Sequence, residues 1–265
     1  MKFTYYDQTV DLFPTEYFPD GPPERVLVNV SGGLDSASLL CLLVEYFPQV
    51  EKHIFTGDDA HHPLDAARAK VVVQYFKDRW LYSHNVKSHD VVPYNDRDPE
   101  VLNEVKKLVE EDPSYYEKYP WKKMPGQEER EEAAFLMKIA KPLINDRNVH
   151  KLMAKYNCKR VLSGMTQNPP NKDMEQLDFA HLAESKRNED RNDVVVFNPR
   201  GRRYHPYARV NKLFVRGVFE SHGLMDTLYH VTGSCTGCQY STEYFTKPCG
   251  KCFWCHEKKW AFGSY

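Results

Sequence analysis

A chain of 265 residues is long enough to bury a full core, and one large α/β domain with an appendage fits that length better than two equal domains. Its formal net charge of −1 gives no reason for sequence-independent grip on a nucleic-acid backbone, so nucleic acid is not an expected partner. No apolar run approaches the ~20 residues that span a bilayer, and the seven cysteines, odd in number and clustered, argue against a secreted disulfide framework and for a reducing cytoplasm.

The opening MKFTYYDQTVDLFPTEYFPDGPP has no continuous hydrophobic core and no small-residue cleavage site, unlike a secretory signal. Residues 1–24 are expected to form an extended arm, with Phe13, Tyr17 and Phe18 on the domain edge. Arg25 to Phe47 then reads RVLVNVSGGLDSASLLCLLVEYF. The β-branched Val26, Val28 and Val30 predict a strand, Ser31 to Ser36 a turn, and Leu39 to Tyr46 a helix apolar nearly all round, as suits a helix covering a parallel sheet. Two glycines let the backbone turn tightly and approach a ligand. Ser36 is placed to cap the helix, whose N-terminal N–H groups and dipole make an anion site. Asp35 is the odd member beside a phosphate, and reads as a magnesium ligand or a loop brace. Cys41, inside the helix, reads as a small core residue.

Lys52 to Gly57 is expected to be the second strand, followed by a loop through Asp58, Asp59, His61 and His62 that reads as plain rather than metal-binding. Ligands of open α/β sheets sit beyond the carboxyl ends of strands, which puts Thr56 and Gly57, with Asp58 and Asp59 after them, near an adenosine. A helix over Leu64 to Lys77 presents Ala66, Ala67, Ala69, Val72, Val73 and Phe76 as its apolar face. Asp90 to Tyr94 is a third strand. From Asn95 to Glu128 the α/β rhythm stops: an amphipathic helix over Glu100 to Glu111 leads into a loop whose tyrosines interleave with Lys118, Lys122 and Lys123, a lid or a solvated surface feature. Two helices, Glu128 to Ala140 and Asp146 to Tyr156, precede a strand at Arg160 to Ser163, with Cys158 buried before it. Gly164 to Pro170 then lies on the ligand side, where its amides and the Thr166 hydroxyl can meet a heterocycle such as adenine.

Ala180 to Arg203 reads as a polar hairpin, VVVF then NPRG then RRYHPY, carrying Arg200, Arg202 and Arg203. Lys212 starts a helix through Phe219 that Gly223 stops. The tail, TGSCTGCQYSTEYFTKPCGKCFWCHEKKWAF, holds five cysteines, two overlapping C-x-x-C units among them. Such a turn sets two sulfurs about 3.5–4 Å apart, as tetrahedral zinc requires, and glycine after Cys249 allows it. Structural zinc is the favoured reading, against a redox or sulfur-carrying dithiol and a disulfide pair.

SGGLDS resembles the SGGxDS loop of the N-type ATP pyrophosphatases (the PP-loop family), which include asparagine, GMP and NAD synthetases, RNA thiolases and 7-cyano-7-deazaguanine synthase. It is not a Walker A loop, because no Gly-Lys-Ser/Thr follows the glycines. The resemblance implies a doubly wound, mainly parallel α/β domain of the adenine nucleotide α-hydrolase type, which cleaves ATP between its α and β phosphates. Ser31, Gly32, Gly33, Leu34, Asp35 and Ser36 would hold the pyrophosphate and Mg2+. Pro206 and Lys212 resemble a Pro…Lys element whose lysine faces the phosphates, and Arg147-Asn148 is similar to a pair before the corresponding helix of deazaguanine synthases. The tail, Thr232-x-Ser234-Cys235 with Cys249-Gly250-x-Cys252-x-x-Cys255, is similar to that of 7-cyano-7-deazaguanine synthase and implies Cys235, Cys249, Cys252 and Cys255 as zinc ligands, with Cys238 as spare or replacement for Cys235. The spacer before Cys249 is longer than usual, Thr56-Gly57-Asp58 stands where Tyr-Gly-Gln is usual, and Met165 to Pro170 replaces a substrate-side Asp-Tyr run.

These readings divide the chain into the arm (1–24), an ATP pyrophosphatase domain (25–230, insertion about 95–128) and a zinc-binding tail (231–265). The expected activity is that of an ATP-dependent ligase taking 7-carboxy-7-deazaguanine and ammonia to the nitrile, with Asp35 and Lys212 as catalytic residues and a homodimer left open. Two alternatives remain: a thiolase carrying sulfur on tail cysteines, and a non-enzymatic zinc-ribbon adaptor.

Overall fold

The computed structural model describes residues 1–59, 63–79, 85–94, 99–112, 128–170, 172–173, 203–235, 242–243 and 247–265. Strand β3 (Arg25–Asn29) is buried at Val26, Leu27 and Val28, the near-continuous apolar run of a parallel strand covered on both faces. It pairs in parallel with β4 (Glu51–Asp59) on one side and β6 (Val161–Ser163) on the other. Outside these lie β5 (Val86–Tyr94) and β7 (Arg203–Tyr204), also parallel, giving the order β5-β4-β3-β6-β7. The chain winds outward from β3 through β4 to β5, then returns to the other side of β3 to lay down β6. That reversal opens a crevice at the carboxyl ends of β3 and β6.

Alternate β3 residues enter different cores. Val26 and Val28 pack with α1 (Leu34–Tyr46), α2 (Pro63–Arg79) and α5 (Lys212–Ser221), while Leu27 packs with Val149 and Leu152 of α4 (Glu128–Tyr156). Helices therefore cover both faces, the doubly wound arrangement expected. The segment read as an extended arm is instead a hairpin of β1 (Lys2–Tyr5) and β2 (Gln8–Asp11), turning at Tyr6 and Asp7 with φ of 50° and 61°. Two left-handed central residues are the type I′ geometry that suits strand twist. Its Phe3 and Val10, with Leu12, Phe13 and Phe18 after it, enter the main core rather than lying on an edge.

Three further readings change. The helices predicted over Glu128 to Ala140 and Asp146 to Tyr156 are one 29-residue helix, α4, which continues through Pro142; a proline costs one backbone bond and kinks a helix, but packing can hold it through. α4 pairs with α3 (Pro99–Glu111) around Val105, Val109, Leu136, Ala140 and Ile144, so the insertion carries a small core of its own. β4 runs on through Asp58 and Asp59, which read as loop residues, because β5 is long enough to pair with them. Ala67 is exposed, off the apolar face of α2. His61, His62, the lysine–tyrosine loop, Cys238 and all of the predicted polar hairpin before Arg203 lie outside the described residues. The tail ends in α6 (Phe253–Phe262), whose Ala261 and Phe262 join the main core, so the appendage is anchored in the domain. No helix among the described residues is long and apolar enough to cross a membrane.

Candidate functional site

The junction between β3 and α1 lies in the crevice. Gly32 takes φ +79°, and a Cβ there would lie 2.7–2.8 Å from Arg68 Cβ, Ala69 N and Asp65 O. Conformation and close approach both demand glycine. Gly33 has ordinary extended dihedrals and is the N-cap of α1, whose first residue is Leu34. Ser36 is therefore inside the first turn, correcting its reading as the cap. Its hydroxyl donates to Gly33 O (3.0 Å) and accepts from Ser31 N–H (3.2 Å), folding the loop back on the helix. Helix α1 is 13 residues long, and its first N–H groups have no intrahelical acceptor, so the loop presents donors to an anion.

Asp35 and Lys212, 177 residues apart in sequence, meet here: Nζ donates to both carboxylate oxygens, at 2.6 and 2.8 Å. Lys212 is 4 % exposed and lies 3.5 Å from the equally buried Glu257 carboxylate of α6. Thr166 Oγ1 also donates to Asp35 (3.2 Å). Both Asp35 oxygens are thus engaged by one ammonium. In this arrangement Asp35 braces Lys212, and a magnesium ion on Asp35 would have to displace the ammonium from the same atoms. Gln8 of β2 reads both the backbone and the side chain of Asn211, which caps α5 immediately before Lys212. The hairpin thereby holds the lysine's helix in place.

Gly164 ends β6 against the loop. A Cβ there would stand 2.5 Å from Asp35 O, so its glycine serves backbone-to-backbone packing. Thr56 and Gly57, expected near an adenosine, do not line the cavity. The Thr56 hydroxyl donates to Val30 O (2.5 Å) and bonds His89 Nε2 (2.9 Å), bracing the strand that leads into the loop, and burial holds His89 below the usual histidine range.

The tail closes the crevice. Gly233 N–H donates to Gly32 O (3.1 Å), and a cavity of about 270 Å³ is bounded by Ser31, Asp35, Gly164, Lys212, Trp254 and Glu257, among others. A larger hollow of about 440 Å³ lies at the amino ends of β3 and β6, beside Arg25 and Arg160, and includes no residue of the loop. Position in the sheet, and not size, singles out the smaller one.

Behind it, the Sγ atoms of Cys235, Cys249, Cys252 and Cys255 all lie within 4.8 Å of one another. The Cys249–Cys255 and Cys252–Cys235 separations are 3.9 Å, far beyond an S–S bond and close to the ~3.8 Å edge of a tetrahedron with ~2.3 Å metal–sulfur bonds. Backbone N–H groups of Lys251 and Cys252 donate to Cys249 Sγ (3.4 and 3.3 Å), and that of Cys249 to Cys235 Sγ (3.2 Å), which favours thiolates. Hydrogen bonding to Cys252 and burial push the Cys255 thiol up, a penalty that a bound cation reverses. The donor set fits a tetrahedral thiolate metal, zinc or iron–sulfur alike. Gly250, at φ +67°, makes the expected tight turn, and Cys252 is the N-cap of α6.

Sequence reading missed Glu257, Gln8 and Arg68. A Glu two residues past a cysteine ligand and a Gln in a hairpin carry no local signal; only the fold brings them to the site.

No family model matches the chain, and no curated protein does. Two solved structures show partial likeness. One is the U34-tRNA thiolase NcsA from Methanococcus maripaludis with its [4Fe-4S] cluster, at 14% identity over 90% of this chain and 70% of that one, with a TM-score of 0.41. The other is the predicted subunit of tRNA methyltransferase from Methanocaldococcus jannaschii, at 14% identity over 73% of each chain, with a TM-score of 0.31.

Proposed function

We propose that the chain is a cytoplasmic ATP-dependent ligase that adenylates the carboxylate of a 7-carboxy-7-deazapurine, passes it to ammonia to give the amide with release of AMP and pyrophosphate, and with a second ATP activates and dehydrates the amide to the nitrile. The observation that carries this is the meeting of the β3–α1 loop, the Gly164 turn and buried Lys212 around one cavity at the sheet's reversal point. In this reading the free N–H groups of the loop and the Ser31 hydroxyl receive the pyrophosphate portion of ATP, and Ser36, bonded to Gly33 O and Ser31 N–H, holds the loop in shape. Lys212 exchanges Asp35 for phosphate oxygens as negative charge develops, and Asp35 with Glu257 returns the ammonium to its place afterwards. Met165 to Pro170 and Trp254 would border the purine and exclude water. Zinc on the four cysteines supplies a structural cross-link, orienting α6 and hence Glu257 and Trp254. The test is pyrophosphate release from ATP with 7-carboxy-7-deazaguanine and ammonium present or omitted, and the products identified by mass spectrometry. Deazapurine-dependent release with formation of the nitrile supports the reading; release indifferent to the deazapurine overturns the substrate.

A second reading, sulfur transfer by tail thiols after adenylation, is favoured by one observation: Cys235 and Cys255 border a second cavity beside the cluster. One tightly held zinc per chain that masks all four thiols would exclude it.

A further inference from the structure

That second cavity, about 150 Å³, includes no residue of the β3–α1 loop and shares Gly233 and Ser234 with the cavity that does. Its walls include Arg68, His230, Lys247 and Lys258 together with Cys235 and Cys255, and no aspartate or glutamate of the described residues borders it. Lys258 is the decisive group. It is 8 % exposed, and its contacts among the described residues are with a carbonyl and a ring rather than a carboxylate. Its Nζ has a 3.5 Å contact with Thr232 O, at the limit of a hydrogen bond, and lies 4.2 Å from the centre of the Tyr229 ring. The Cys255 thiolate attracts this ammonium, but its hydrogen bonding inside the protein is sparse, which leaves N–H donors for a ligand to complete. Arg68 reaches the same space because residue 233 is glycine: a Cβ there would lie 2.3 Å from Arg68 Nη1. Its ion pair with Asp65 on the same helix is long at 3.5 Å. Lys247 is exposed and paired with Glu243, which leaves Arg68 and Lys258 as the two cations available to a ligand.

We propose that this cavity is a second anion site, separate from the β3–α1 loop, that takes a phosphoryl oxyanion between Arg68 and Lys258 beside the cysteine cluster. The fork of a guanidinium and the point charge of an ammonium suit a phosphate dianion. Two sources share that chemistry: the pyrophosphate that the neighbouring loop would release, and a phosphate carried on a second substrate. The site stands on this geometry alone and does not depend on the ligase reading.

The test is calorimetric titration of the full-length, metal-loaded protein at constant ionic strength, with pyrophosphate and with ribose 5-phosphate as probes. Each is run with the loop free and with the loop saturated by α,β-methylene ATP. The expected result is binding that survives the nucleotide and weakens about ten- to a hundredfold in Lys258→Gln, the loss of one charge-assisted hydrogen bond. Lys212→Met should leave that binding intact. Tighter binding of pyrophosphate identifies the released product as the source, and tighter binding of ribose 5-phosphate identifies a substrate phosphate. Abolition of all binding by the nucleotide, or unchanged affinity in Lys258→Gln, overturns the proposal. Arg68→Gln is the second variant should Lys258→Gln fail to fold, and is held to the same criterion. If α,β-methylene ATP itself does not bind while the anion does, the ligase reading fails and this site stands.

Discussion

Gly32 and Gly164 lack side chains for different reasons, and their replacement should separate those reasons. Gly32→Ala meets a left-handed φ as well as atoms of α2, whereas Gly164→Ala keeps an ordinary backbone and only drives a methyl into Asp35 O. Each is expected to lower stability by about 1–3 kcal/mol, read from the urea midpoint, and to cut pyrophosphate release by displacing the loop. Unchanged stability in Gly164→Ala would mean that β6 and α1 are not in the contact described. Lys212→Met removes the cation shared by Asp35 and Glu257 and should cost pyrophosphate release about 10²- to 10³-fold, with a smaller effect on KM for ATP. A third residue tests burial alone. Lys52 is fully buried with Nζ on Phe47 O, and burial lowers its pKa from 10.5 to about 8. Between those two values the unfolded chain holds the proton that the folded chain has released, so stability rises with pH across that window. The difference in unfolding free energy between wild type and Lys52→Met is expected to grow in favour of wild type from about pH 8 to pH 10.5. A difference flat in pH would mean that the ammonium is hydrated.

Among the elements, the tail couples two kinds of chemistry. α6 begins at the cysteine cluster, presents Glu257 to Lys212, and ends with Ala261 and Phe262 in the core. Stripping metal with a chelator should therefore lower the melting temperature and abolish ATP-dependent pyrophosphate release together, with both restored by zinc, and Cys252→Ser should mimic the stripped state. Full activity in metal-free protein would separate the tail from the site. The outline of this arrangement was legible in sequence wherever chemistry is local. Val26 to Ser36 announces strand, turn and helix by residue type, and Cys249-Gly250-Lys251-Cys252 announces a thiolate turn by spacing. What stayed hidden depends on partners. Asp58 and Asp59 look like a loop until β5 pairs with them, and Pro142 looks like a break until α3 packs on the helix containing it. Ser36 looks like a cap because serine favours that position, yet the helix starts earlier, at Leu34, where Gly33 serves with its backbone alone. The hairpin escaped because Tyr6-Asp7 is a poor type I′ sequence, held by the apolar residues it carries into the core.

Across the whole molecule the buried apolar residues form unequal cores, and this sets where the protein opens first. The main cluster joins the hairpin, α1, α2, α5 and α6 to one face of the sheet, so Phe3, near the start of the chain, packs in the same body as Phe262 near its end. Among the described residues the cluster between α3 and α4 holds five buried side chains and none from the sheet. α4 belongs to both worlds: Leu136, Ala140 and Ile144 face α3, while Val149 and Leu152 face β3 and β6 through Leu27 and Val161. A body with few buried apolar contacts opens at lower free energy than one with many. Amides of α3 and the first half of α4 are therefore expected to exchange with deuterium through a local opening, and those of β3 and α1 only through global unfolding. Leu136→Ala should speed exchange in α3 and early α4 and leave β3 and α1 untouched. Phe3→Ala should lower the opening free energy of β3, α1 and α5 alike by about 3–5 kcal/mol, since a large buried side chain leaves a cavity in the shared core. Equal loss of β3 protection in both variants would show a single cooperative unit, in which the insertion is as integral to the domain as the sheet.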